Sequence, residues 1–203
     1  NYFVKKPRLA KVYFKIISDT DVRLIALKRG EIDVAGIPPK DYAKMQRENV
    51  VNIFKYDRLM YSYLGYNCQT YPFNNINVRR AFAYAIDKDK MIEVVLKNLA
   101  TPAYSPSHPV SWAYNNNVEK YDYNPKKART ILKDAGWNLS VEKYLEKNGK
   151  PLKFTLFISK GSSSSQKTAT IVQQFLKQIG VQMDIRILEW SAMLKKVNST
   201  SDP

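Results

Sequence analysis

Residues 152–188 constrain the fold of this chain more than any other stretch. They begin with LKFTLFI (152–158), pass through the loop KGSSSS, and end in VQMDIRIL (181–188). In the last segment Val181, Met183, Ile185 and Ile187 alternate with Gln182, Asp184 and Arg186, the period of two that puts one face of a strand against a core. Between the two strands Ile171, Val172, Phe175, Leu176 and Ile179 recur at helical spacing, and Gly180 ends the helix. Strand, helix and strand in this order predict a parallel pair joined by a right-handed crossover. The chain is therefore expected to be α/β.

The rest of the sequence is read to the same pattern. KVYFKII (11–17) alternates with Val12, Phe14 and Ile16 on one side. Ser18 or Asp19 can cap a helix carrying Val22, Ile25 and Ala26, Gly30 closes it, and EIDVAGI (31–37) supplies a second strand. This predicts a first β–α–β unit. Pro38-Pro39 precede a short helix over about 40–47, and VVNIFKY (50–56) and LMYSYLGYN (59–67) read as strands. In NVRRAFAYAIDKDK (77–90), Asn77 is the expected N-cap, and Val78, Ala81, Phe82 and Ala85 form an apolar stripe from which Arg79, Arg80 and Ala83 lie apart. Asp87 caps a further helix with Ile92, Val95, Leu96 and Leu99 inward. Residues 101–123 have no period, and their Tyr104, Trp112 and Tyr114 are either packing anchors or ligand contacts. NPKKARTILKDAGW is a punctuated helix: Asn124 caps, Pro125 takes the first position, Ala128, Ile131 and Leu132 face inward, and Gly136 stops it. A polar insertion fills 138–150. The expected architecture is a mixed central sheet flanked by helices.

The chemistry on offer is sparse. One cysteine, Cys68, and one histidine, His108, exclude a disulfide framework and a Cys/His zinc site within these residues. His108 stands between Ser107 and Pro109, which is a loop setting. The GSSSS loop lacks the glycine spacing and the Lys-Ser/Thr pair of a phosphate-binding loop, and no dinucleotide-binding glycine motif or nucleophile elbow occurs. Nothing reads as an active site, and no cofactor or metal is expected. The net charge of +15 raises a basic nucleic-acid-binding domain as the alternative, with RRAFAY as its candidate helix. Against it, lysine and arginine are dispersed from Lys5 to Lys196, and that helix offers too few base-reaching residues on one face. Tyr61 and Tyr63 share a strand face at period two; they suit either a site for varied ligands or packing against the following helices.

Taken in order, KVYFKII, ALKRGEIDVA, PFNNINVRRAFAYAIDKDK, YNPKKARTILKDAGW and LEW closely resemble the bacterial extracellular solute-binding proteins of family 5, the peptide- and nickel-type receptors of ATP-binding-cassette importers. The resemblance covers nearly the whole chain. It implies one lobe, residues 1–203, of a periplasmic-binding-protein-like (type II) fold, with the first lobe and the continuation past Pro203 lying outside the sequence. It implies capture of an oligopeptide or other small solute by closure of two lobes, delivery to a membrane permease, and a periplasmic or surface-anchored lipoprotein setting, without nucleic acid as partner. Tyr63 and Trp190 match ligand-facing positions of the family, while Tyr61, Ser159 and Ser162 are neighbours by position. Met60 stands near the place of a cysteine found in some members, so their disulfide has no counterpart.

Overall fold

The computed structural model describes residues 6, 8–161 and 163–198. They fall into two compact units, residues 1–55 and 56–203. In the first unit Asp19 caps α1 (Thr20–Lys28) by accepting from the Val22 amide at 2.9 Å, and Gly30 (φ 71°) lets the chain leave it. The buried face of α1 is Leu24, Ala26 and Leu27, whereas Val22 and Ile25 are exposed, so the apolar stripe is rotated from the expected one. Pro38 and Pro39 open α2 (Pro39–Glu48), which buries Met45. Lys28–Glu48 and Lys40–Asp21 ion pairs link the two helices, the latter at 3.1 Å.

The first β–α–β unit is not formed. Residues 11–17 and 31–37 carry no strand pairing among the described residues, and neither do 50–56 and 59–67. Alternation prepares one face for burial, but a strand also needs a neighbour to take its amides and carbonyls. Without one, Phe14 and Ile16 are each 93% exposed.

The second unit holds the parallel pair. β4 (Lys153–Ser159) and β5 (Gln182–Leu188) run in register from Lys153↔Gln182 to Ser159↔Leu188, and α6 (Ser163–Gln178) makes the crossover. α6 buries Ala169, Val172 and Leu176, with Ile179 just beyond its end, while Val181, just before β5, and Met183 within it are also buried. α3 (Ile76–Ala85) buries Val78, Ala81, Phe82 and Ala85 as expected, and packs on α5 (Pro125–Asp134) through Ala128 and Leu132. Its N-cap is Asn75, whose side chain accepts from the Asn77 amide at 2.8 Å; the helix therefore starts two residues earlier than the sequence reading placed it. Asp87 caps α4 (Lys88–Leu96), and Asn124 caps α5 by accepting from the Lys127 amide.

The polar insertion is structured. β1 (Asn138–Leu139), β2 (Leu145–Lys147) and β3 (Lys150–Pro151) form a small antiparallel sheet, and Asn148 and Gly149 make its second turn with φ 52° and 72°. Leu145 accepts from the Leu152 amide and donates to the Gly180 carbonyl, which ties this sheet to the turn after α6. In place of one mixed central sheet, the described residues thus contain two separate small sheets, because the segments that would widen the parallel pair remain unpaired.

Candidate ligand-binding site

The carboxyl ends of β4 and β5 lie side by side, closed by the Ser159↔Leu188 pairing. One residue farther on, the Lys160 amide donates to the Leu188 carbonyl at 2.8 Å. Past the second strand the chain turns directly into α7 (Trp190–Asn198), whose first turn is marked by the Met193 amide on the Glu189 carbonyl at 3.0 Å. Ser159 and Trp190 are thereby brought to the same end of the parallel pair. This is where open α/β sheets leave a crevice, since the strand ends and the following loops diverge there. Trp190 is 60% exposed, so its indole is available to a ligand instead of being spent on the core. Ser162 lies outside the described residues.

Tyr61 and Tyr63 behave differently. Their rings contact one another at 5.4 Å between centroids, and both are exposed on an irregular segment rather than on a strand. No hydrogen bond or ring contact joins them to Ser159 or Trp190 among the described residues. Tyr66 turns inward instead, against Phe73 at 4.9 Å and Phe82 at 6.4 Å. Burial pushes its hydroxyl up to about 12, only partly offset by the Arg79 charge. A phenol harder to ionise in the folded than in the unfolded chain stabilises the fold in full below its ordinary value near 10, and that stability is lost as pH rises toward 12. Urea unfolding at pH 9 and pH 11 is expected to show a larger drop in wild type than in Tyr66→Phe.

Two charged residues at the strand ends were not singled out from sequence. Lys160 and Glu189 pair at 2.8 Å, and Glu189 is the middle residue of the LEW motif. The available signal was a charge immediately following each parallel strand. The other candidates have structural roles. Arg79 donates to the Phe73 carbonyl, which fixes the turn before α3 and withdraws that guanidinium from the nucleic-acid reading. Tyr104 packs locally, with its hydroxyl 3.3 Å from Asp122 and the Lys88 ammonium over its ring, while Trp112 is exposed. His108 accepts from the Val110 amide through Nδ1, the bond of a local turn. Among the described residues no three His, Cys, Asp or Glu side chains gather as metal ligands, and no helix is long and apolar enough to cross a membrane. A recess of about 390 Å³ beside the small antiparallel sheet, lined by Tyr144, Glu146, Pro151 and Gln182 among others, includes none of the predicted site residues.

Comparison with known proteins gives a consistent result. The family model described as bacterial extracellular solute-binding proteins, family 5 Middle, matches residues 1–201. The oligopeptide-binding protein AppA of Bacillus subtilis is 33% identical over 201 residues, covering 98% of this chain and 37% of that protein. The dipeptide-binding protein of Escherichia coli is 30% identical over 198 residues, covering 96% of this chain and 35% of that one. The structure of AppA in complex with a nonapeptide superposes with a TM-score of 0.81 at 32% identity, over 91% of this chain and 37% of that one. The chain thus spans a little over a third of the length of the curated relatives it matches. These similarities are to solute-binding proteins and lend nothing to the nucleic-acid alternative.

Proposed function

The chain belongs to the bacterial extracellular solute-binding proteins of family 5, and from that premise we propose that residues 1–203 are part of one lobe of a receptor that captures a peptide-like solute. The observation that carries the reading is the exposed Trp190 at the same carboxyl end of the parallel pair as Ser159, in a chain similar over nearly its whole length to peptide-binding proteins. The ligand is held between this lobe and a second one contributed by the rest of the polypeptide, with no covalent chemistry and no enzymatic turnover. Closure of the lobes presents the solute to the permease of an ATP-binding-cassette importer, outside the cytoplasmic membrane in the periplasm or at the cell surface. In this reading Trp190 and Ser159 contribute directly, and Tyr61 and Tyr63 form a separate aromatic surface reached by a longer ligand. Peptides are then gripped mainly through their backbones and through water, which tolerates varied side chains.

The test is native mass spectrometry of the full-length protein purified without denaturation. The expected result is co-purified peptide of a narrow length range, with Trp190→Ala weakening its retention by about tenfold through loss of aromatic contact area. Protein that carries no small molecule and gains none from a peptide mixture overturns the reading.

A further inference from the structure

Lysine and arginine are dispersed along the sequence, yet the fold gathers several of them in one place. On α5 the buried residues are Ala128 and Leu132, so Lys126, Arg129 and Lys133, at i, i+3 and i+7, form an exposed stripe. The Arg129 guanidinium donates to the Gln178 carbonyl at 3.1 Å, which brings the last turn of α6, with Lys177, against that stripe. The Lys147 ammonium donates to the Ala135 carbonyl at 2.7 Å and adds its charge at the carboxyl end of α5. α6 carries no acidic residue, and Asp134 is the one carboxylate of α5. None of these cations belongs to an ion pair among the described residues. A merely solvated helix surface intersperses and pairs both signs of charge, and this one does not.

The topology fixes where the basic surface lies. α6 leaves the carboxyl end of β4 and returns to the amino end of β5. Its 16 residues run about 24 Å, matching about 23 Å for the 7 residues of each strand. Lys177 and Arg129 therefore stand at the amino end of the parallel pair, a strand length away from Ser159 and Trp190. A partner seated here leaves the ligand end open.

We propose that the lysine face of α5 and the end of α6 dock on an anionic phospholipid bilayer, holding the protein at a membrane surface with its ligand end free. The proposal draws on the receptor reading only for a membrane close at hand, and it is independent of the solute. The pattern of charge selects a bilayer over nucleic acid. Lys126, Lys133 and Lys177 are point charges, whereas Arg129, whose fork suits a phosphate or a base edge, already donates to Gln178. α5 has no aromatic residue on which a base could stack. Ammonium groups on long stems reach a plane of headgroups without apolar insertion, and each adds to the attraction.

The experiment sediments full-length protein with vesicles of phosphatidylcholine alone or of phosphatidylcholine and phosphatidylglycerol in equal parts. Binding is read at low salt and at about 0.5 M, where screening leaves a reach of about 4 Å. Wild type is compared with a triple variant, Lys126→Gln, Lys133→Gln and Lys177→Gln, and with a charge-matched triple, Lys55→Gln, Arg58→Gln and Lys195→Gln. All six residues are exposed, so both variants keep the fold. Wild type is expected to bind only the phosphatidylglycerol vesicles and to leave them at high salt. The first triple is expected to bind about tenfold or more weakly, and the matched triple to change by no more than about twofold. Four results would each overturn the proposal: wild type that ignores the anionic vesicles, binding that survives high salt, equal losses in the two triples, or a DNA duplex bound more tightly than the vesicles at the same salt. Peptide capture is measured separately, so these results leave the receptor reading standing, and failure of peptide capture leaves the docking result standing in turn.

Discussion

Replacing Phe82 by alanine lowers the free energy of unfolding by about 3–5 kcal/mol, read as a fall in the urea midpoint at unchanged slope. The size follows from its place in the core. Phe82 is fully buried on α3, and its ring lies 6.0 Å from Phe73, 5.6 Å from Phe154 and 6.4 Å from Tyr66, so one side chain joins the helix, the turn before it and the parallel sheet. Truncation removes apolar burial and opens a space that three rings anchored on separate elements cannot close together. A loss below about 1 kcal/mol would show that this aromatic cluster is not what holds α3 on the sheet.

The second large effect is expected at Gly180, where alanine costs about 2–3 kcal/mol. Two causes add. The backbone sits at φ 85°, where a side chain strains, and an added Cβ would meet Leu145 Cγ at 3.1 Å and Leu139 Cδ1 at 3.4 Å. Gly149 separates the two, because it has φ 72° but nothing within 4 Å of its added carbon. Gly149→Ala should therefore cost only the backbone share, about 1 kcal/mol. Thermal or urea unfolding of the two variants side by side checks this. Equal losses would show that the contact with Leu145 and Leu139 is soft.

These positions also show what could be read from the sequence. Val78, Ala81, Phe82 and Ala85 were legible because helical spacing states which side of a helix is buried, and all four are buried. The β4–α6–β5 unit was legible for the same reason, with strand alternation and a glycine stop agreeing on one architecture. KVYFKII was misread as a paired strand because period two records only the wish of one face for cover and says nothing about which backbone lies alongside. The stripe of α1 read as Val22, Ile25 and Ala26 is right only at Ala26, which is buried with Leu24 and Leu27, since a helix with apolar residues on several sides has more than one plausible face. The small antiparallel sheet was missed although Asn148-Gly149, the strongest short hairpin signal, stood in the text; the polar residues around it masked two-residue strands.

The candidate site was legible in part. Ser159 ends β4 and Trp190 stands two residues past the end of β5, so the parallel pair that the sequence predicts is what brings them to one end. Tyr61 and Tyr63 keep a shared contact but lose the strand that was to carry them. Lys160 and Glu189 escaped notice because their meeting depends on two strand ends being level, which only the pairing fixes.

The extended run at residues 11–17 has a consequence for the chain when it stands by itself. Tyr13, Phe14 and Ile16 face solvent beside backbone that no described strand occupies, so the run is an open template on which a second copy could add itself edge to edge. Lys11 and Lys15 interrupt it with like charges that repel an approaching copy. That protection is electrostatic and fades as ionic strength screens it, whereas the attraction between aromatic and aliphatic side chains does not. The barrier to such pairing at this edge is accordingly electrostatic, and it weakens with salt while the packing of the core does not.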